Sequence, residues 1–384
     1  MENEEYDVAV VGGGVMGSCA AYCLAQAGKS TVLIEQFPIP HSRGSSCGQS
    51  RITSLGDYSS PFMKPIINHG YKQWLKILAT AAENLFRVCP MVIVSQDHDF
   101  MKEKAKIVKD AGVDPVWIPV DKVNEKYKTS FPKESSAIID TSGGILFAQK
   151  CVQEVQRLFK NLGGVIIDAW PVTSIEPGDP WVQVKGRRSV IRAKSLVLCP
   201  GPWATEVLTP LGIDLPLKTV RLGVYYWKVK DSSFPRGTIC DMSDPQNFFY
   251  AVSPIEYPGL IKIGLHEGVE TTPSTRDKVD MSDIKMKISQ YIQQHMPNIE
   301  SEPAIEESCM YTVTPDEDFV IDYHPEHKNI VYAVGFSGRG FKYAPAVGEM
   351  LAGMVQGHDP IHDLTPFSAA RFANSNRNSP VSKY

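Results

Sequence analysis

The stretch spanning residues 6–35 constrains this chain more than any other. Val8-Ala9-Val10-Val11 is a short apolar run that reads as a buried strand. Gly12, Gly14 and Gly17 follow at the G-x-G-x-x-G spacing, opening an Ala-rich, helix-prone segment over 18–27 that Gly28 closes. Thr31-Val32-Leu33-Ile34 is a second apolar strand, and Glu35 stands at its end. Strand, glycines, helix, strand and acid in this order make a dinucleotide fingerprint, where glycines alone would not. Gly12 suits the tight turn, Gly14 admits a pyrophosphate to the backbone amides, and Gly17 lets the helix pack close on the strand. The helix N-terminus adds positive potential for phosphate. Glu35 can accept from a ribose diol, and an acid there favours FAD or NAD over NADP.

A chain of 384 residues fits one large domain or two interleaved ones. With 43% hydrophobic and 21% charged residues it can bury a sizeable core. A net charge of -4 gives no ground for a nucleic-acid partner. No apolar run approaches the ~20 residues of a membrane span. The acidic start, with Glu2, Glu4 and Glu5, is wrong for a secretory signal. The eight cysteines form no CxxC pair, so a reducing compartment is expected. Nothing in the spacing suggests a metal site.

Further along, residues 41–51 are polar and read as a loop, either plain surface or a wrap for cofactor phosphates. Tyr71, Trp74, Leu75 and Leu78 mark an amphipathic helix, as do Val152, Val155, Leu158, Phe159 and Leu162. Residues 101–111, 282–296 and 344–355 also read as helices. Strands are expected at 91–94, 165–167, 196–199 and 330–334. The segment 196–199 runs into Pro200-Gly201-Pro202-Trp203, a sharp turn at a strand end, where α/β sheets hold ligands. Residues 220–227 and 260–265 alternate in hydropathy and suggest an antiparallel sheet over a cavity.

Several blocks carry a family resemblance. They are Val10 to Gly17, Pro40-His41-Ser42-Arg43-Gly44-Ser45-Ser46, and Glu256-Tyr257-Pro258-Gly259-Leu260-Ile261-Lys262. The most specific are Cys309-Met310-Tyr311-Thr312-Val313-Thr314-Pro315-Asp316 and Gly335-Phe336-Ser337-Gly338-Arg339-Gly340-Phe341-Lys342. In them the chain resembles the monomeric sarcosine oxidase and L-pipecolate oxidase family. The resemblance implies an α/β fold: a Rossmann-like FAD-binding domain over 1–85, 146–216 and 318–384, and an antiparallel-sheet substrate domain over 86–145 and 217–317. It implies FAD, a small amine or amino acid substrate, oxygen as acceptor, an imine and hydrogen peroxide as products, and a monomer.

By position, the resemblance makes Cys309 the residue joined to the flavin. Lys262 matches the lysine that assists oxygen, His266 and Tyr250 match substrate-side residues, and Lys342 matches the lysine that holds a substrate carboxylate. Cofactor contacts are expected from Gly12, Gly14, Val15, Met16, Gly17, Glu35, Gln36, Ser42, Arg43, Ser45, Ser46, Arg51, Val172, Gly201, Trp203, Met310, Gly335, Gly338, Gly340, Phe341 and Lys342. Three positions depart from the family. Cys47 replaces a histidine, Ser54 a basic residue, and Arg339 a histidine. Ser54 cannot supply the second cation of a carboxylate clamp. Either Arg339 has taken over that charge, or the substrate lacks a carboxylate; a catalytically weak flavin-binding protein is a third reading. An unpartnered Lys342 would be costly, which favours relocation to Arg339. The terminal Ser382-Lys383-Tyr384 is similar to the peroxisomal address Ser-Lys-Leu but differs in its last residue. A peroxisomal location is expected on that basis, a cytoplasmic one otherwise.

Overall fold

The strand Glu4–Val11 holds the middle of the first sheet, parallel to Thr31–Ile34 on one side and Val190–Leu198 on the other. Val10 lies opposite Leu33 and Val197. Side chains alternate across a strand, and here both faces are apolar. Val8 and Val10 join one core with the helices; Ala9 and Val11 join a second core on the far side. That is why the run reads as continuously hydrophobic. The structure is a computed structural model and describes residues 4–58, 60–231, 234–244 and 246–373. Residues 382–384, with the expected peroxisomal address, lie outside them.

Val165–Ile167 continues the sheet beyond Thr31–Ile34, and Ile330–Val334 runs parallel to the C-terminal half of Val190–Leu198. The helix Val15–Gln26 starts inside the glycine motif, three residues before the expected 18. It packs on Ala344–Val355 at a glycine: a Cβ on Gly348 would lie 2.6 Å from the Cys19 carbonyl carbon. Met63–Leu78 and Ala148–Asn161 complete this helical layer.

The second sheet has nine strands and takes them from 91–140 and 218–313. Its centre is Lys218–Val229, Leu260–Leu265, Asn247–Tyr257 and Thr238–Asp244, each antiparallel to the next. Ile299–Val313 pairs with the free side of Lys218–Val229 and sets Cys309 opposite Leu222. This 15-residue strand shows little in the sequence. Its outer half alternates part-buried and exposed residues, and Pro303 interrupts the apolar signal. A third sheet of Ser50–Thr53, Gly144–Phe147 and Phe86–Val88 takes in the last two residues of the expected 41–51 loop.

Candidate active site

The glycine turn is shaped by contacts that leave no room for a side chain. Gly12 has φ +107°, and a Cβ there would lie 2.2 Å from the Cys199 carbonyl oxygen. A Cβ on Gly17 would lie 2.0 Å from the Gly12 carbonyl oxygen. Helix and strand therefore meet at contact distance, with Gly14 as an N-cap that carries no side-chain hydrogen bond. Ser46 Oγ accepts from the Val15 amide at 2.9 Å, tying the 41–51 loop over the turn. Glu35 is buried and accepts from the amides of Gly13 at 2.8 Å and Phe37 at 3.0 Å.

A cavity of about 360 Å³ runs along this turn. Of the expected cofactor residues, its wall includes Gly12, Gly14, Val15, Met16, Glu35, Gln36, Ser45, Ser46, Arg51, Val172, Gly201, Trp203, Gly335, Gly338, Gly340 and Phe341. Gly17 sits under the wall as a packing residue. Ser42 and Arg43 do not reach it: Arg43 turns out to Asp277 at 2.8 Å, and the Ser42 carbonyl accepts from Arg276. The Arg276–Asp277 segment holds the start of the loop there. A helix N-terminus capped by a bare glycine, a buried acid beside the turn and a walled channel suit an FAD nucleotide. Among the described residues no cluster of ligating side chains fits a metal.

The far part of the cavity gathers around Arg51. Its guanidinium donates to the carbonyls of Ser45 at 2.8 Å, Cys47 at 2.6 Å and Ser50 at 2.7 Å, and its carbon lies 5.8 Å from the Phe341 ring centre. Arg51 thus moulds the loop while also lining the cavity. Cys309 Sγ lies 3.7 Å from the Ser45 carbonyl, directly behind the wall. A hydrogen bond with Cys47, helped by the Arg51 charge, holds the Cys309 thiol well below the usual range against the pull of burial. The same bond pushes Cys47 up. A thiolate is the nucleophilic form, so this environment suits covalent chemistry at Cys309. Met310, fully buried, adds a carbonyl that accepts from the same thiol.

Lys262 is buried and donates to Ser50 Oγ at 2.7 Å and to Glu256 at 3.3 Å. Burial lowers its pKa, and Glu256 only partly restores it. Tyr250 sits on the adjacent strand, opposite Gly264; burial pushes its phenol up to about 12. His266 lies 5.6 Å, ring to ring, from Tyr311, which lines the cavity.

Lys342 is buried and ion-paired with Asp57. Burial lowers the lysine's pKa, and the aspartate opposes that. Arg339 lies close enough to Lys342 for its charge to lower the lysine's pKa, behind the larger effect of burial. It donates to the Glu317 carbonyl and stands 3.9 Å from the Asp318 carboxylate. Arg339 thus shares its charge with the 317–318 turn, and Lys342 already has an anion. Ser54 donates to the fully buried Asp140.

Sequence reasoning missed Asp57, Gln156 and Tyr311. Gln156 donates to the Gly13 carbonyl at 3.0 Å and Ser18 Oγ at 3.1 Å. Its signal was a polar residue between Val155 and Phe159 on an apolar helix face. Tyr311 fills the space over Gly338, where a Cβ would lie 2.3 Å from its ring.

The FAD dependent oxidoreductase family model matches residues 7–354. The chain is 35% identical to peroxisomal sarcosine oxidase of Mus musculus, over 97% of both chains. It is 28% identical to monomeric sarcosine oxidase of Arthrobacter sp. (strain TE1826), over 96% of this chain and 97% of the other. The open form of NikD, an amino acid oxidase of nikkomycin biosynthesis, shares the fold with TM-score 0.84 at 19% identity, over 95% of this chain and 98% of NikD. The α/β architecture, the cradle and these likenesses agree: the chain belongs to the FAD-dependent oxidoreductases, within the sarcosine oxidase family, and is a flavin-dependent amine or amino acid oxidoreductase.

Proposed function

We propose that this chain is an FAD-dependent oxidase of a secondary amine, giving an imine and hydrogen peroxide. The observation that carries the reading is the continuity of the site. The dinucleotide cradle runs through Ser45 and Arg51 to Cys309 and Lys262 without leaving a single set of contacts. FAD, when bound, accepts the hydride from the carbon beside the amine nitrogen and delivers electrons to oxygen.

The protein's own residues supply position and charge. Cys309 is the candidate tether. Lys262 offers a fixed cation where negative charge develops as oxygen is reduced. Tyr250 is protonated at neutral pH and acts as a neutral hydrogen-bonding group, not a base. Tyr250 and His266, beside the Lys262 strand, are the candidates to orient the amine. We assign the cofactor domain to 1–85, 146–216 and 318–384 and the substrate domain to 86–145 and 217–317. We take the working unit to be a monomer in the peroxisome, in line with the relatives' names.

Two experiments test this. Secondary amines, with and without a carboxylate, are mixed with the holoenzyme without oxygen, then with it. One class bleaches the flavin, and air restores it with one peroxide per turnover. Bleaching with no peroxide would make the chain a dehydrogenase. A fluorescent protein carrying the last dozen residues should enter peroxisomes; diffuse signal removes that assignment.

A further inference from the structure

Lys262 has an acidic partner besides Ser50, and the chain bends to supply it. The lysine sits in Leu260–Leu265, opposite Tyr226 on one side and Val252 on the other. The hairpin that joins Asn247–Tyr257 to this strand is irregular. Val252 pairs with Lys262 and Tyr257 with Leu260, so five steps along one strand face two along the other. Continuing the 252–262 register would set residue 256 against residue 258, away from the lysine. The extra residues form a bulge instead, a device that re-aims a side chain. Glu256 turns back to Lys262, and carboxylate and ammonium lie 3.3 Å apart. The two side chains are 3% and 9% exposed, so solvent ions screen them little.

The surroundings leave the lysine dependent on that one acid. Burial is the main force against its charge and Glu256 the main force for it; Arg51 adds repulsion and Glu307 a weaker attraction. Glu307 is itself engaged, accepting from Tyr257 OH at 3.1 Å. Tyr226, Tyr250 and Tyr257, the phenols facing these acids, are pushed up first by burial and stay neutral. Cys309 lies within reach of the lysine's charge, which helps to lower its thiol behind the larger effects of Cys47 and Arg51. A buried ion pair adds little to stability over apolar side chains of the same size. The bulge therefore serves the charge on Lys262 more than it serves the fold.

We propose that Glu256 is the positioning residue of Lys262: it holds the lysine as a cation, pinned against Ser50, and so sets the pH range over which reduced flavin reacts with oxygen. This rests on the oxidase reading and deepens it. Lys262 keeps its proton through that step. The two electrons and two protons that turn oxygen into hydrogen peroxide come from the reduced cofactor, and the lysine steadies the negative charge that oxygen carries on the way. Glu256 acts only through Lys262.

The test uses Glu256→Gln, which keeps the size and removes the charge. Lysine labelled with carbon-13 at Cε reports ionisation by NMR in the holoenzyme; the Lys262 signal is the one missing from Lys262→Met. Wild type should titrate below the ~10.4 of a free lysine. Glu256→Gln should titrate lower still, by about one to two pH units, the worth of one charge-assisted hydrogen bond. Glu256→Asp keeps the charge on a shorter arm and should fall between them. Equal midpoints in wild type and Glu256→Gln overturn the inference. Stopped-flow mixing gives a second readout: holoenzyme reduced with dithionite, so that no amine is needed, meets oxygen across the same pH range. The decline of this step with rising pH should move by the same interval in Glu256→Gln. Adding Glu256→Gln to Lys262→Met should slow the oxygen step no further, which a merely structural role would not produce; a further loss overturns the inference. If reduced flavin ignores oxygen at every pH, the oxidase reading fails, while the NMR midpoints still decide whether Glu256 holds the Lys262 charge.

Discussion

Lys262 and Ser50 lie 212 positions apart in the sequence and 2.7 Å apart in the fold, ammonium to hydroxyl. The bond joins the second sheet to the strand that carries Arg51, and it fixes a buried cation behind the cavity wall. Lys262→Met should slow flavin reoxidation about 100- to 1000-fold, the usual loss for one preorganised electrostatic group. Reduction by amine should change little. Burial lowers the lysine's pKa, so the charged form is lost at lower pH than for a free lysine at about 10.4. The oxygen step should therefore decline as pH rises, with its midpoint below that value. Stopped-flow measurement of both half-reactions across pH decides the matter; an oxygen step unaffected by Lys262→Met removes the assignment.

The Cys47–Cys309 pair predicts how flavin is held. Flavin should stay with acid-precipitated protein and fluoresce in its band on a denaturing gel. Cys309→Ala should release it. Cys47→Ala removes the hydrogen bond that lowers the Cys309 thiol, so attachment should be slower or partial. Full release of flavin from the unmutated protein by acid would show that the tether is absent.

Asp57 carries a pH signature. Burial would raise its carboxyl, but Lys342, with Lys104 and Arg339, holds it at about 2. The unfolded chain has a value near 3.9. A depressed carboxyl stabilises the fold fully above about pH 4 and loses that contribution as pH falls towards about 2. The side chain is 34% exposed, and solvent screening reduces the effect to about 1 kcal/mol. Urea unfolding at pH 5 and pH 2.5 should show this loss in wild type and not in Asp57→Asn. Parallel curves for the two proteins would mean that the pair contributes nothing.

The turn can be broken at Gly17. Gly17→Ala puts a methyl group 2.0 Å from the Gly12 carbonyl oxygen, which forces strand and helix apart. Overpacking of this kind costs about 1–3 kcal/mol. Flavin content per chain should fall sharply while the second sheet persists by circular dichroism. A variant with full flavin and an unchanged unfolding midpoint would contradict the close packing.

How much of this is legible in the sequence depends on the distance over which each feature is decided. Gly12, Gly14, Gly17 and Glu35 act within one strand–helix–strand unit, so their roles follow from local spacing and the fold class with them. The strand Thr31–Ile34 appears where its β-branched run places it. Asp57 is different. Its partner Lys342 is 285 positions away, and a lone aspartate in a polar turn looks like solvated surface. The contact Arg339 makes with the Glu317 carbonyl, 22 positions away, is equally silent in the sequence. Gln156 makes polar contacts to Gly13 and Ser18, which leave no periodic trace.

The order of strands in the first sheet sets a timetable for synthesis. A ribosome releases Glu4–Val11 and its glycine turn at the outset, and Thr31–Ile34 soon after. The neighbour on the other side, Val190–Leu198, and the helix that covers Val15–Gln26, Ala344–Val355, come much later. At ~5–20 residues per second, that first edge waits on the order of ten seconds or more for its partner. Throughout that interval an apolar strand has one side bare, which invites mispairing. The cavity draws its wall from Val11 as well as from Phe341, so it is complete only when synthesis is nearly over.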